Sequence, residues 1–436
     1  MAPGWLPPFQ EILHMLRRTF ALLLVTLALP ACDALERAGL SSRPVIGAPV
    51  PTQAQATAKQ SARSGGTWVV ILAPLSGERA RIGQTLVQAA RIALEAEGAP
   101  PFDQRDTAGT AEGAASAARA AIAAGAGIIL GPLSAEETAA VAPIARAAEV
   151  PVLAFTNDAT QGQPGVWTLG ITPGQQAQRL ATALQAQGKG RLAGLLPAND
   201  FGKSLAVGLT QAATSLSLPE PRIRHYAPDA SIGALNTLVR DMSDYASRRG
   251  PIEAEARAAR SSGTANGRRR ASEISRHGVP AAPFDGIMLA DTGENLESIA
   301  SLLAYYDADW PHVRVLGPSL WAAADSGGGR MSGAWYAAPD PSNRAAFERA
   351  YTAKTGAAPP AIADIAFDAA AMARVTANTG FNLSALTRPD GYLGANGLVA
   401  LQMDGRVRRG LAVFEIQRGG PQMIEPAPQT VDAPGS

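Results

Sequence analysis

An α/β architecture of two lobes, each a doubly wound parallel sheet, follows from three features of the sequence. Short apolar runs alternate with amphipathic stretches from Thr67 to about Gly420, the pattern of strand–helix–strand units. These units are too numerous for one small sheet. The chain has 436 residues, 46% of them hydrophobic and only 5% aromatic, so burial rests on Ala, Leu, Val and Ile in helices packed on sheets.

Thr67–Ala73 reads as a buried strand between Gly66 and Pro74. Residues 80–97 place Ile82, Leu86, Ala89, Ala90 and Ala93 at helical spacing. Gly127–Leu130 is a second strand. Helix 134–149 opens on Ser134-Ala135-Glu136-Glu137, a capping box. Val150–Phe155 is the next strand. Thr172-Pro173-Gly174-Gln175 is another capping box with proline at the first helical position. Leu192–Leu196, Phe284–Ala290, Val313–Leu316 and Val413–Ile416 complete the strands. In such sheets ligands bind beyond the carboxyl ends of the strands, which directs attention to loops 74–79, 132–134, 155–160, 197–202, 291–295 and 317–321.

Two segments stand outside this alternation. Residues 247–281 hold Arg248, Arg249, Arg260, Arg268-Arg269-Arg270 and Arg276 among Ser and Gly. They read as a basic, solvated insertion loop with a short helix near 252–260, the alternative being a patch for an anionic partner, lipid headgroups or an acidic protein. Residues 421–436 hold Pro421, Pro426, Pro428 and Pro434 and read as a disordered tail.

Residues 15–32 combine Arg17 and Arg18, an apolar run and small residues before Cys32. This is a secretion signal, with Met15 the expected start and residues 1–31 removed. Leu29-Pro30-Ala31-Cys32 resembles a bacterial lipobox, departing from the usual pattern at Pro30. The resemblance implies acylation of Cys32, a membrane anchor and a periplasmic location, inner or outer membrane being open. Residues 32–66 then form a tether spanning on the order of 30 Å root-mean-square.

The 38 basic residues nearly balance 37 acidic ones, which argues against a nucleic-acid partner. One cysteine excludes an intramolecular disulfide and a multi-cysteine metal site. No G-x-S-x-G elbow or P-loop occurs. Lys354-Thr355-Gly356 has no Ser-x-x-Lys to accompany it and reads as a helix end stopped by Gly356. The expectation is a protein that is not an enzyme and takes no cofactor and no metal.

Ala73-Pro74-Leu75-Ser76-Gly77, Asp106-Thr107-Ala108-Gly109, Ile129-Leu130-Gly131-Pro132-Leu133-Ser134 and Val150–Asp158 together resemble the type 1 periplasmic binding proteins, the leucine/isoleucine/valine-binding family and its relatives. Leu303-Ala304-Tyr305-Tyr306, Val315–Trp321 and the Gly397, Asp404-Gly405-Arg406 stretch resemble one branch, the penicillin-binding protein activator lipoproteins. The resemblance covers roughly residues 67–420 outside 247–281. It implies two lobes and three crossovers near residues 171, 338 and 393, so that lobe 1 is 67–171 plus 338–392 and lobe 2 is 172–337 plus 393–420.

It also implies a ligand cleft lined by Ser76, Gly77, Ser134, Phe155, Thr156, Asn157, Asp200, Phe201, Asp291, Ser319 and Trp321. Ser134 either caps its helix or meets a ligand carboxylate, since both uses need the same hydroxyl. Phe201 stands where relatives often have Tyr. No acidic residue lies between Val313 and Ala324 to meet a ligand ammonium, and Asp291 is the substitute. Phe201 and Trp321 either stack on a sugar or pack their lobe. The partner implied is a penicillin-binding protein, a peptidoglycan synthase whose active state the protein favours. The alternative is an ABC permease served by a substrate-binding protein for a branched-chain amino acid. The small-molecule ligand is an amino acid or a muropeptide.

Overall fold

The computed structural model describes residues 67–322 and 329–431. The expected signal segment, Cys32 and the expected tether lie outside the described residues. The first sheet has the order β2-β1-β3-β4-β5, all parallel. Its strands are β1 (Trp68–Ala73), β2 (Phe102–Asp106), β3 (Ala126–Leu130), β4 (Val152–Ala154) and β5 (Val166–Thr168). Helices α1 (Ala80–Leu94), α2 (Ala111–Ala123) and α3 (Ala135–Ala147) connect them. Strand alternation sends Val69, Ile71 and Ala73 to the face covered by α1, and Val70 and Leu72 to the face covered by α2 and α3.

The second sheet begins after α4 (Pro173–Ala186). It contains β6 (Leu192–Pro197), α5 (Asp200–Ser215), β7 (Arg222–Tyr226), α6 (Ile232–Met242), α7 (Tyr245–Ser261), α8 (Ala265–Ser275), β8 (Gly286–Met288), α9 (Gly293–Tyr305), β9 (Arg314–Gly317) and β10 (Trp335–Ala338). The chain then adds α10 (Pro341–Thr355), α11 (Ala363–Thr376), α12 (Leu383–Leu386), β11 (Tyr392–Gly394), β12 (Gly397–Leu401), β13 (Val407–Arg409), β14 (Ala412–Gln417) and β15 (Gly420–Glu425). The second sheet reads β15-β14-β10-β9-β8-β6-β7. Strands β6–β10 run parallel, and β14 and β15 antiparallel at one edge. Within each parallel set the order is the same, the second strand outside the first and the rest following on the other side. The order reverses between β1 and β3 and between β6 and β8, where two loops part and leave a crevice.

Both expected capping boxes form. Ser134 and Thr172 accept from the backbone N–H three residues on, while Glu137 and Gln175 reach back to the cap amide. Gly356 ends α10 with φ +75°, in the left-handed region glycine takes without strain.

Three sequence expectations differ from the structure. The 247–281 loop is a helical hairpin, α7 and α8. Its Ala and Arg residues are good helix formers, and Ala256, Ala271 and Ile274 close a small core of their own. The tail is ordered through Glu425, because β15 pairs with β14 as an edge strand, a place where Pro421 is tolerated. The return to the second lobe, expected near 393, comes after residue 410. The three-stranded sheet β11-β12-β13 packs Ala395, Val399 and Leu401 into the core of the first lobe with α1 and α11. Strands β2 and β7 escape the sequence reading because they are edges, exposed and charged (Phe-Asp-Gln-Arg-Asp and Arg-Ile-Arg-His-Tyr).

Candidate functional site

The chain leaves β5 at its carboxyl end and enters α4, which runs back to start β6. It likewise leaves β10 at its carboxyl end and enters α10. Both sheets therefore turn their carboxyl ends toward the crossovers, and each lobe carries a row of loops there.

In the first lobe Ser76 and Gly77 are exposed after β1, Gly77 with φ +75°. The Asp106 carboxylate, at the end of β2, accepts from the amides of Leu75 (2.7 Å), Ser76 (3.2 Å) and Ala108 (2.7 Å). Burial pushes its pKa up, but the Ser76 hydroxyl and these three amides outweigh that and hold it below the ordinary value. Ser134 is half-buried after β3 and wholly engaged. Its amide donates to Glu137 Oε2 at 2.9 Å and its hydroxyl to the same oxygen at 2.7 Å. The other Glu137 oxygen accepts from Thr107 Oγ1 at 2.5 Å. Glu137 is fully buried. A carboxylate of the protein thus already sits at the N-terminus of α3. After β4, Phe155 and Thr156 are buried and Asn157 is exposed. Thr156 Oγ1 accepts from the Asp158 amide at 3.1 Å.

In the second lobe Asp200 is exposed at the start of α5, 3.9 Å from the Lys203 amine. Phe201 is half-buried and packs on the core between α4 and α5. Asp291, after β8, accepts from the Tyr226 hydroxyl at 2.5 Å. Burial first, and then this bond to a carboxylate, keep the Tyr226 phenol protonated well beyond its ordinary range. The Asp291 carbonyl accepts from Trp321 Nε1 at 2.9 Å. The Trp321 ring is buried in its lobe against Gly317, where any Cβ would strike it. The Ser319 amide donates to Gln176 Oε1 at 2.7 Å. Leu320 instead is exposed at that loop.

The structure gathers the expected residues by lobe. It leaves Ser76, Gly77, Asn157 and Asp200 accessible, and Asp291 and Ser319 partly so. Phe155, Thr156 and Trp321 go to the interior. Among the described residues no hydrogen bond or ion pair joins the two rows of loops across the cleft. Sequence reasoning missed Asp106 as the acceptor for the loop after β1, the Thr107–Glu137 pair, and Tyr226 as the partner of Asp291. The signal was present in Glu137 at the third position of the capping box, but its burial was not. No group of His, Cys, Asp and Glu suited to a metal ion occurs among the described residues.

The family model described as periplasmic binding protein matches residues 67–234. No curated protein matches the chain. Among solved structures, full-length LpoA from Haemophilus influenzae is 16% identical with a TM-score of 0.59, covering 83% of this chain and 59% of its own. The chain thus spans about three-fifths of that protein. The LpoA (YraM) C-domain from the same organism, a regulator of PBP1A, is 16% identical with a TM-score of 0.58, covering 82% of this chain and 99% of its own. A putative branched-chain amino acid ABC transporter protein from Rhodospirillum rubrum is 18% identical with a TM-score of 0.61, covering 82% and 99%. Residues 67–234 carry the periplasmic-binding-protein sequence signature, and the described chain as a whole has the type 1 periplasmic binding protein fold.

Proposed function

We propose that this protein is a non-enzymatic periplasmic lipoprotein, anchored through Cys32, that docks a peptidoglycan synthase and favours the synthase's active state. The observation that carries the reading is the Glu137 carboxylate at the N-terminus of α3. A helix N-terminus with a free serine is a ready carboxylate site. Here Ser134 spends its amide and hydroxyl on Glu137. A ligand carboxylate brought to the same place finds the serine amide and hydroxyl already taken and another carboxyl group beside them, which is unfavourable. A cleft that rejects amino acids leaves the surface as the working part, consistent with the fold shared with the LpoA C-domain.

A second reading is a substrate-binding protein for an importer. The half-buried Asp291 with Tyr226, on the cleft side of the second lobe, supports it, as a carboxylate there suits a cationic group.

Thermal unfolding of the protein with leucine, isoleucine, valine and muropeptides separates the two. A ligand at about 100 times its dissociation constant adds about 2.7 kcal/mol. We expect no shift with the amino acids and a rise in glycan polymerisation when the protein is added to its synthase. A clear shift with one amino acid, and no effect on the synthase, overturns the docking reading in favour of import.

A further inference from the structure

The α7–α8 hairpin is not used by either reading. Its base is fixed. Arg248 is buried, and its guanidinium donates to the carbonyls of Pro280 (2.6 Å), Ser243 (3.2 Å), Tyr306 (3.1 Å) and Asp307 (2.8 Å). The two helices are held together by Ala256, Ala271 and Ile274, a core separate from that of the lobe. The insertion is therefore built and oriented.

Its tip has an unusual composition. Residues 256–270 contain Arg257, Arg260, Arg268, Arg269 and Arg270, and no acidic residue. All five arginines are exposed. Their ties are sparse: Arg257 reaches Glu253 at 3.7 Å, Arg270 reaches Glu255 at 3.9 Å, Arg260 meets the Ser275 hydroxyl and Arg268 meets the Gly263 carbonyl. The Arg269 side chain has no hydrogen-bond or ion-pair partner among the described residues. Ser261, Ser262, Thr264 and Asn266 add polar groups at the turn. The same fifteen residues hold no aromatic and no apolar side chain larger than alanine.

We infer that the hairpin tip is an electrostatic docking surface for an anionic phospholipid bilayer. Guanidinium groups are the side chains best matched to phosphate oxygens, and near a charged membrane each contributes independently of shape. A protein interface needs aromatic or large apolar anchors in its centre, and the tip offers none. The absence of such anchors also means contact at the headgroup level, without insertion, and hence a strong salt dependence. This contact is additional to any anchor at Cys32 and does not depend on it.

The test uses the chain from residue 33 onward, which keeps every described residue and has no cysteine to acylate. It is sedimented with vesicles of phosphatidylcholine alone, and with vesicles in which phosphatidylglycerol replaces part of it. Binding to the anionic vesicles only, lost as salt rises, is the expected result. Arg268→Gln, Arg269→Gln and Arg270→Gln together weaken it by roughly 100-fold. Glutamine preserves helix propensity. Should that variant fail to fold, Arg257→Gln with Arg260→Gln on the facing helix reads the same surface. Equal binding to both vesicle types, or binding unchanged in both variants, overturns the proposal. So does the absence of vesicle binding while the triple variant loses its hold on the purified synthase, which makes the tip a protein-docking surface.

Discussion

Glu137 joins Thr107, at the end of β2, to the first turn of α3. Its carboxylate accepts three hydrogen bonds, from Thr107 Oγ1 and from the Ser134 amide and hydroxyl. The two partners should be unequal under mutation. Ser134→Ala removes one cap and is expected to cost about 1 kcal/mol. Glu137→Ala leaves three donors without their acceptor at a fully buried position and is expected to cost about 3 kcal/mol. Urea denaturation ranks them, and equal losses would show that the network acts only as a helix cap. Asp368 in α11 is buried among the amides of Ala395 (2.6 Å) and Asn396 (3.0 Å). Desolvation raises its pKa to about 6 against the ordinary 3.8, in spite of those amides and the nearby Arg409 charge. The folded state therefore holds this proton more tightly than the unfolded chain does. The resulting stabilisation is complete below about pH 4 and is lost as pH rises through 6. The stability difference between wild type and Asp368→Asn should change by about 3 kcal/mol between those limits, and a difference constant with pH would contradict it.

At the scale of elements, the hairpin shows how one buried cation orients an insertion. Arg248 serves four carbonyls from the loop before α7, the segment after α8 and the end of α9. Burial, the largest influence, depresses its pKa. Removing it strands those carbonyls. Arg248→Ala should loosen the hairpin by about 2 kcal/mol, making tryptic cleavage within 257–270 roughly 30-fold faster while the lobes keep their melting temperature. Cleavage at the wild-type rate would mean that the small Ala256–Ile274 core alone holds the hairpin in place. The sequence displayed the arginines but not this distinction. Arg248 is buried and Arg269 exposed, yet both sit in the same polar, Ala-rich stretch. The loop reading failed because a hairpin core of alanines leaves almost no hydrophobic period to detect.

For the molecule as a whole, the crossovers are tied to one another by side chains far apart in sequence. Trp167 Nε1 donates to the Gln402 carbonyl at 2.7 Å, Gln175 Nε2 to Val407 at 2.7 Å and Arg179 Nε to Leu411 at 2.7 Å. Arg409, buried beside Asp368, donates to the Leu169 carbonyl. These bonds join the first crossover to the third; the one from Gln175 to Val407 spans the two lobes, and the others brace the crossover strands from within each lobe. Arg409→Ala should lower stability by about 3 kcal/mol, because it leaves Asp368 buried without its counter-charge. The loss should appear as a lower melting temperature in calorimetry. An unchanged melting temperature would show that Asp368 does not depend on this counter-charge.

The sequence by itself determined the strand–helix alternation, both capping boxes, the helix stop at Gly356 and the loops that follow the buried central strands. Those features are local, set by apolar period, cap chemistry and glycine. Only the tertiary structure decided what depends on contacts between distant residues. Strands β2 and β7 are charged edges whose existence rests on their neighbours. The β11–β13 sheet joins the first lobe through packing on α11. The Pro-rich tail becomes β15 because β14 offers it an open edge. At the site the same division holds. Ser134 was legible as a cap or as a ligand contact, and burial of Glu137 beside Thr107, thirty residues earlier in the chain, is what assigns its hydroxyl to the protein itself.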